Sequence, residues 1–98
     1  MARFDVFETS GGTLAVTCQS PVFEHLDVRF VIPLVPLDEA PKAVPRLNPE
    51  IEFDGRRFVA FPQWSSSMPL KELRRRVGNV EADGLRLLDA LDMLISGA

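Results

Sequence analysis

Short apolar runs that alternate with polar residues fill the first two thirds of the chain, and a three-to-four spacing replaces them near its end. Phe4, Val6 and Phe7 stand in the first run, residues 3–8, before the turn-forming Thr9-Ser10-Gly11-Gly12. Leu14-Ala15-Val16-Thr17-Cys18 follows, and the two runs together predict a β-hairpin over residues 4–19. Val28-Arg29-Phe30-Val31-Ile32-Pro33-Leu34 is rich in β-branched residues and predicts a third strand within residues 27–36. Pro33 cannot donate to a ladder, so the expectation puts it at an edge or a bulge. Pro36, Pro41, Pro45 and Pro49 exclude a helix or a central strand and predict a long surface loop.

Asp54-Gly55 lies between Ile51-Glu52-Phe53 and Arg57-Phe58-Val59-Ala60-Phe61. Such a pair accepts positive φ at a two-residue turn, which predicts a second hairpin. Residues 67–78 offer Ser67 as a cap, Pro69 near a first turn, helix formers at residues 70–76 and Gly78 as a stop, and the expectation there is a short helical segment. From Asn79 as cap to Ile95, apolar residues recur at Val80, Leu87, Leu88, Leu91, Leu94 and Ile95, which predicts an amphipathic terminal helix. The fold class that follows is mainly β with a C-terminal helix, a small antiparallel sheet or partly open barrel packed by that helix.

Composition narrows the class further. At 98 residues with 46% hydrophobic and 26% charged positions, the expectation is a single globular domain spanning residues 1–98. A core this small is marginal, so burying a further apolar face in a dimer would help it, and self-association is expected. The single Cys18 sits in an alternating run and reads as a packed thiol. The sequence contains no basic leader followed by an apolar stretch and no apolar run long enough for a membrane span, so the expected location is the cytoplasm. A net charge of −3 opposes general binding to a phosphate backbone.

Candidate chemistry is sparse. His25 stands without a second histidine or a nearby cysteine, which gives no metal-ligand spacing. Ser65, Ser66 and Ser67 lack the strand-to-helix elbow of a serine nucleophile, and Asp89 and Asp92 read as the solvated face of a helix. Gly11-Gly12 is explained by its turn, so no cofactor, metal or catalytic residue is assigned. Lys71, Arg74, Arg75 and Arg76 form the one positive cluster, able to dock an acidic partner segment through guanidinium forks.

Three stretches resemble a known family. Arg29-Phe30-Val31-Ile32-Pro33-Leu34 is similar to the Val-Ile-Pro-Leu strand of the CcdB toxins. Arg46-Leu47-Asn48-Pro49-Glu50-Ile51-Glu52-Phe53-Asp54-Gly55 is similar to the segment leading into their small hairpin, and Ala90-Leu91-Asp92-Met93-Leu94-Ile95-Ser96-Gly97-Ala98 to their closing helix and tail. The resemblance implies an SH3-barrel-like antiparallel sheet of the CcdB/MazF kind and a two-fold homodimer. It implies a toxin of a type II toxin–antitoxin module that binds the DNA gyrase A subunit through paired helix ends, trapping the cleaved-DNA complex without covalent chemistry. It further implies neutralisation by a CcdA-like antitoxin and contact with operator DNA only through that antitoxin.

On this basis the target-binding residues are Ile95, Ser96, Gly97 and Ala98. Arg74, Arg75 and Arg76 are our own assignment for antitoxin binding. The best-known gyrase poison ends Trp-Gly-Ile where this chain reads Ser96-Gly97-Ala98, and losing a buried aromatic anchor costs about 2 to 4 kcal/mol at an interface. Two alternatives stay open: a non-toxic CcdB-like domain that captures antitoxin, and an endoribonuclease toxin of the MazF kind.

Overall fold

The computed structural model describes residues 2–97. Seven strands, β1 (Asp5–Thr9), β2 (Leu14–Thr17), β3 (Val28–Pro36), β4 (Glu50–Phe53), β5 (Arg56–Ala60), β6 (Ser66–Pro69) and β7 (Leu73–Asn79), form one antiparallel sheet. A single α-helix, α1 (Gly84–Ser96), closes the chain. The strand order is β4-β5-β3-β2-β1-β7, with β6 pairing β3 beside β5, and the sheet curls into a half-barrel. The SH3-barrel-like expectation holds.

Both predicted hairpins are present. Asp54 and Gly55 take positive φ of 53° and 76° at the turn between β4 and β5, the conformation that makes such a pair a hairpin signal. Cross-strand rows then decide which residues are core. Val6 opposes Val16 and Val16 opposes Ile32, all fully buried, while the adjacent row of Phe7, Ala15 and Pro33 lies on the other face. The first row joins Leu34, Ile51, Ala60 and Leu87 in the main core, with Cys18 packed among them as expected. Phe7, Ala15, Val31 and Leu73 form a second, smaller cluster with Met68.

The sequence reading fails at three points. Residues 67–78 are not helical: β6 pairs residues 28–31 of β3, β7 pairs β1, and only Leu70–Glu72 makes a 3-10 turn between them. Long-range ladders override the helix propensity of Leu70 to Arg76, because Leu73 is buried only when its strand lies along β1. Asn79 ends β7 rather than capping α1; its Oδ1 accepts from Glu81 N (2.7 Å), the turn Glu81–Asp83 follows, and the helix starts at Gly84. Pro33 lies in the sheet interior, not on an edge. Its carbonyl accepts from Phe61 N (3.1 Å), so its donorless nitrogen faces the seam where β3 changes partner from β6 to β5.

The loop after β3 is anchored. Asn48 is buried, accepts from Val44 N (2.8 Å) and donates to the Ala60 carbonyl (3.1 Å) and to Gln63 Oε1 (2.8 Å). At the far side of the molecule the two ends of the strand order approach each other. A Cβ on Gly78 of β7 would overlap the ring of Phe53 in β4, so glycine there admits the ring that bridges the open side of the half-barrel.

Candidate partner-binding surfaces

Helix α1 is held down at its start and free at its end. Gly84 lies under the ring of Phe4, with a Cβ position only 2.6 Å from it, which lets the helix approach the sheet closely. Leu87 and Ala90 are buried and Leu88 and Leu91 half-buried, while polar ties flank the contact. Arg86 donates to the Glu50 carbonyl (2.7 Å) and pairs with Asp83 (2.8 Å); Arg46 pairs with Asp89 (3.4 Å). The inward stripe then runs out. Leu94 is exposed and Ile95 is 82% exposed, although the spacing puts both on the apolar stripe. The helix outlasts the sheet it packs on, so its last apolar residues meet no wall.

That end is conformationally defined. Gly97 takes φ 75° and its N–H donates to the Met93 carbonyl (2.8 Å), a left-handed C-cap, and Ser96 Oγ donates to the Asp92 carbonyl (2.7 Å). Three of the four residues assigned to target binding, Ile95, Ser96 and Gly97, are thus presented together on a capped terminus; Ala98 lies outside the described residues. Helix α1 also contacts the turn Pro62–Trp64, where Trp64 stacks on Phe61 at 4.3 Å and 13° and stays 52% exposed. Trp64 forms one wall of an open groove of about 570 Å³ with Leu14, Pro33, Val35 and Phe58.

The three arginines are consecutive and all exposed. They stand on β7, an end strand, and the structure engages them differently. Arg76 Nε pairs with Asp5 (2.9 Å), Arg75 approaches Glu8 (3.6 Å), and Arg74 has no carboxylate within 4.0 Å among the described residues. Asp5 is 1% exposed and also accepts from Asn79 Nδ2 (2.9 Å) and Ala2 N (2.8 Å). Burial pushes its carboxyl up, but the bonds from Asn79, Ala2 and Arg76 and the Arg76 charge outweigh it and hold the group below its ordinary value.

A second apolar surface escaped the sequence reading. Val22, Phe23 and Leu26 are exposed on a knuckle that is held rigidly from beneath. Arg29, only 7% exposed, donates to the carbonyls of Glu24, Leu26 and Val28, and Gln19 Nε2 donates to the Phe23 carbonyl (2.8 Å). Ser20 caps the turn Pro21–Phe23 through Val22 N. Ser20-Pro21 before an apolar pair was the available signal, and it marks a capped turn. His25 lies on the same knuckle with its ring 6.5 Å from that of Phe23. Burial pushes the Cys18 thiol up to about 12, the opposite of an activated nucleophile.

Two ordered apolar projections on a small half-barrel, with polar contacts spent on fixing backbone, suit the gripping of another macromolecule. No curated protein matches the chain. The family model described as CcdB protein matches residues 3–97, nearly the whole of the chain. With that match on a seven-stranded half-barrel closed by one helix, the chain belongs to the CcdB family of toxin–antitoxin toxins.

Proposed function

We propose that this protein poisons DNA gyrase by binding its A subunit as a homodimer, stabilising the cleaved-DNA complex, and that a CcdA-like antitoxin neutralises it. The observation that carries the reading is the capped, solvent-facing end of α1, where Leu94 and Ile95 stay exposed beside Gly97. Exposed apolar side chains on a fixed backbone are efficient interface anchors, since little chain entropy is lost on docking. Binding alone accounts for toxicity in this scheme, so the protein acts as an inhibitor and not as an enzyme. Operator DNA is reached only through the antitoxin.

Ser96 stands where the best-known relative has tryptophan, and this favours one second reading: a non-toxic relative that still captures antitoxin. Controlled expression in a bacterium separates the two. Growth arrest with accumulating gyrase-dependent DNA breaks is the expected result; normal growth with the folded protein present selects the second reading. Removing the last three residues is expected to abolish arrest while folding and dimerisation persist. Arrest that survives this deletion would refute the assignment of the target site to the helix end.

A further inference from the structure

The outer side of β7 is unexplained by the target site. The strand pairs with β1 on one side, and no strand pairs with it on the other among the described residues. Alternate residues along it turn their backbone N–H and C=O groups away from β1, which is what an added strand requires. Register shifts against β1 leave Arg74 and Val77 without opposite residues and increase the local twist of the strand.

The charges around the edge indicate what kind of strand fits. Lys71, Arg74, Arg75 and Arg76 lie on or beside β7, and the carboxylates near them are Asp5, Glu8 and Glu72. Asp5 is buried and consumed by Arg76, and Glu72 is engaged by the Ser10 hydroxyl. Glu8 meets Arg75 at 3.6 Å with both side chains largely exposed, a pair worth little in water. Lys71 and Arg74 have no carboxylate within 4.0 Å among the described residues. An otherwise acidic molecule of net charge −3 thus has a locally positive, open strand. An acidic extended peptide satisfies both features, with its backbone completing a ladder and its carboxylates taking guanidinium forks. A nucleic acid would meet the positive charge but leave the ladder groups unpaired.

We propose that the outer side of β7 takes up an extended acidic peptide segment as an added strand. Given the toxin–antitoxin reading above, this segment belongs to the antitoxin's unfolded tail. The full-length protein is titrated with a synthetic peptide of alternating Glu and Val long enough to span β7, with its Lys-Val counterpart, and with an RNA oligonucleotide. Amide hydrogen exchange is followed throughout. The Glu-Val peptide is expected to bind and to slow exchange within β7 by about tenfold or more, which corresponds to about 1.4 kcal/mol. The paired substitutions Arg74→Glu and Arg75→Glu are expected to weaken binding at least tenfold, and Arg74→Gln with Arg75→Gln to do so partially.

Binding that protects another segment, no binding at all, or RNA that binds and displaces the peptide would overturn the proposal. Growth arrest reports on the helix end independently. A protein that never arrests growth but shows Glu-Val protection at β7 would fail as a toxin and still support this site.

Discussion

Asp5 joins its own strand start to a part of the chain far away in sequence: the backbone N–H of Ala2, the side chain of Asn79 and the guanidinium of Arg76 all converge on one buried carboxylate. Because its folded value is depressed, its contribution to stability is complete above the unfolded carboxylate value of 3.8 and is lost as pH falls through the lower folded value. Asp5→Asn removes the charge that accepts from Arg76 and Ala2, while the half-exposed Arg76 regains water, and is expected to cost about 2 kcal/mol in urea unfolding near neutral pH. The gap to the unmodified protein will narrow only in strongly acidic buffer; a gap that is constant with pH would show that the charge is irrelevant. Arg29 is the complementary case, a buried cation held by carbonyls. Arg29→Met is expected to expose the knuckle at Val22 and Phe23 to rapid backbone exchange, at a stability cost of about 2 kcal/mol. Cys18 was legible in the sequence because an alternating run defines a buried side. Asp5 and Arg29 were not, because an isolated charged residue in a strand gives no sign of partners found only after folding.

Local chemistry explains which elements could be read directly. The turns at Gly11-Gly12 and Asp54-Gly55 fix their hairpins through φ values that few other residues adopt, so both hairpins follow from short sequence windows. Residues 67–78 lack such a signal. Their helix formers are overruled by partners in β3 and β1 that lie far back along the chain, which no local window contains. In α1 the spacing located the helix, but not where its supporting sheet stops, and this is why Leu94 and Ile95 emerged as surface residues. Gly97 secures that end. Gly97→Ala forces a side chain into the left-handed region, and the expected cost is about 1 kcal/mol with fraying of residues 93–96, visible as faster amide exchange there. Unchanged exchange would mean that the cap does not hold the terminus.

At the scale of the whole molecule, the half-barrel leaves Leu94 and Ile95 uncovered at the end of α1 and Trp64 uncovered beside its groove, more apolar surface than so small a core easily tolerates. The proposed homodimer would cover part of it. Sedimentation is expected to give a dimer at micromolar concentration, and the unfolding midpoint is expected to rise with protein concentration; a concentration-independent monomer would remove the paired helix ends from the mechanism.

The contact of Phe53 with Gly78 also has a kinetic meaning. The end strands β4 and β7 meet through an aromatic ring and not through a ladder, so the sheet is a clamp and not a closed ring. Prising the clamp apart costs the burial of that ring and the Arg86 bond to the Glu50 carbonyl, and frees β4 to peel from β5, an opening short of global unfolding. Native-state exchange will therefore begin along β4, while β2 and β3, paired on both sides, exchange last. Gly78→Ala, which wedges the ring outward, will widen the difference between them.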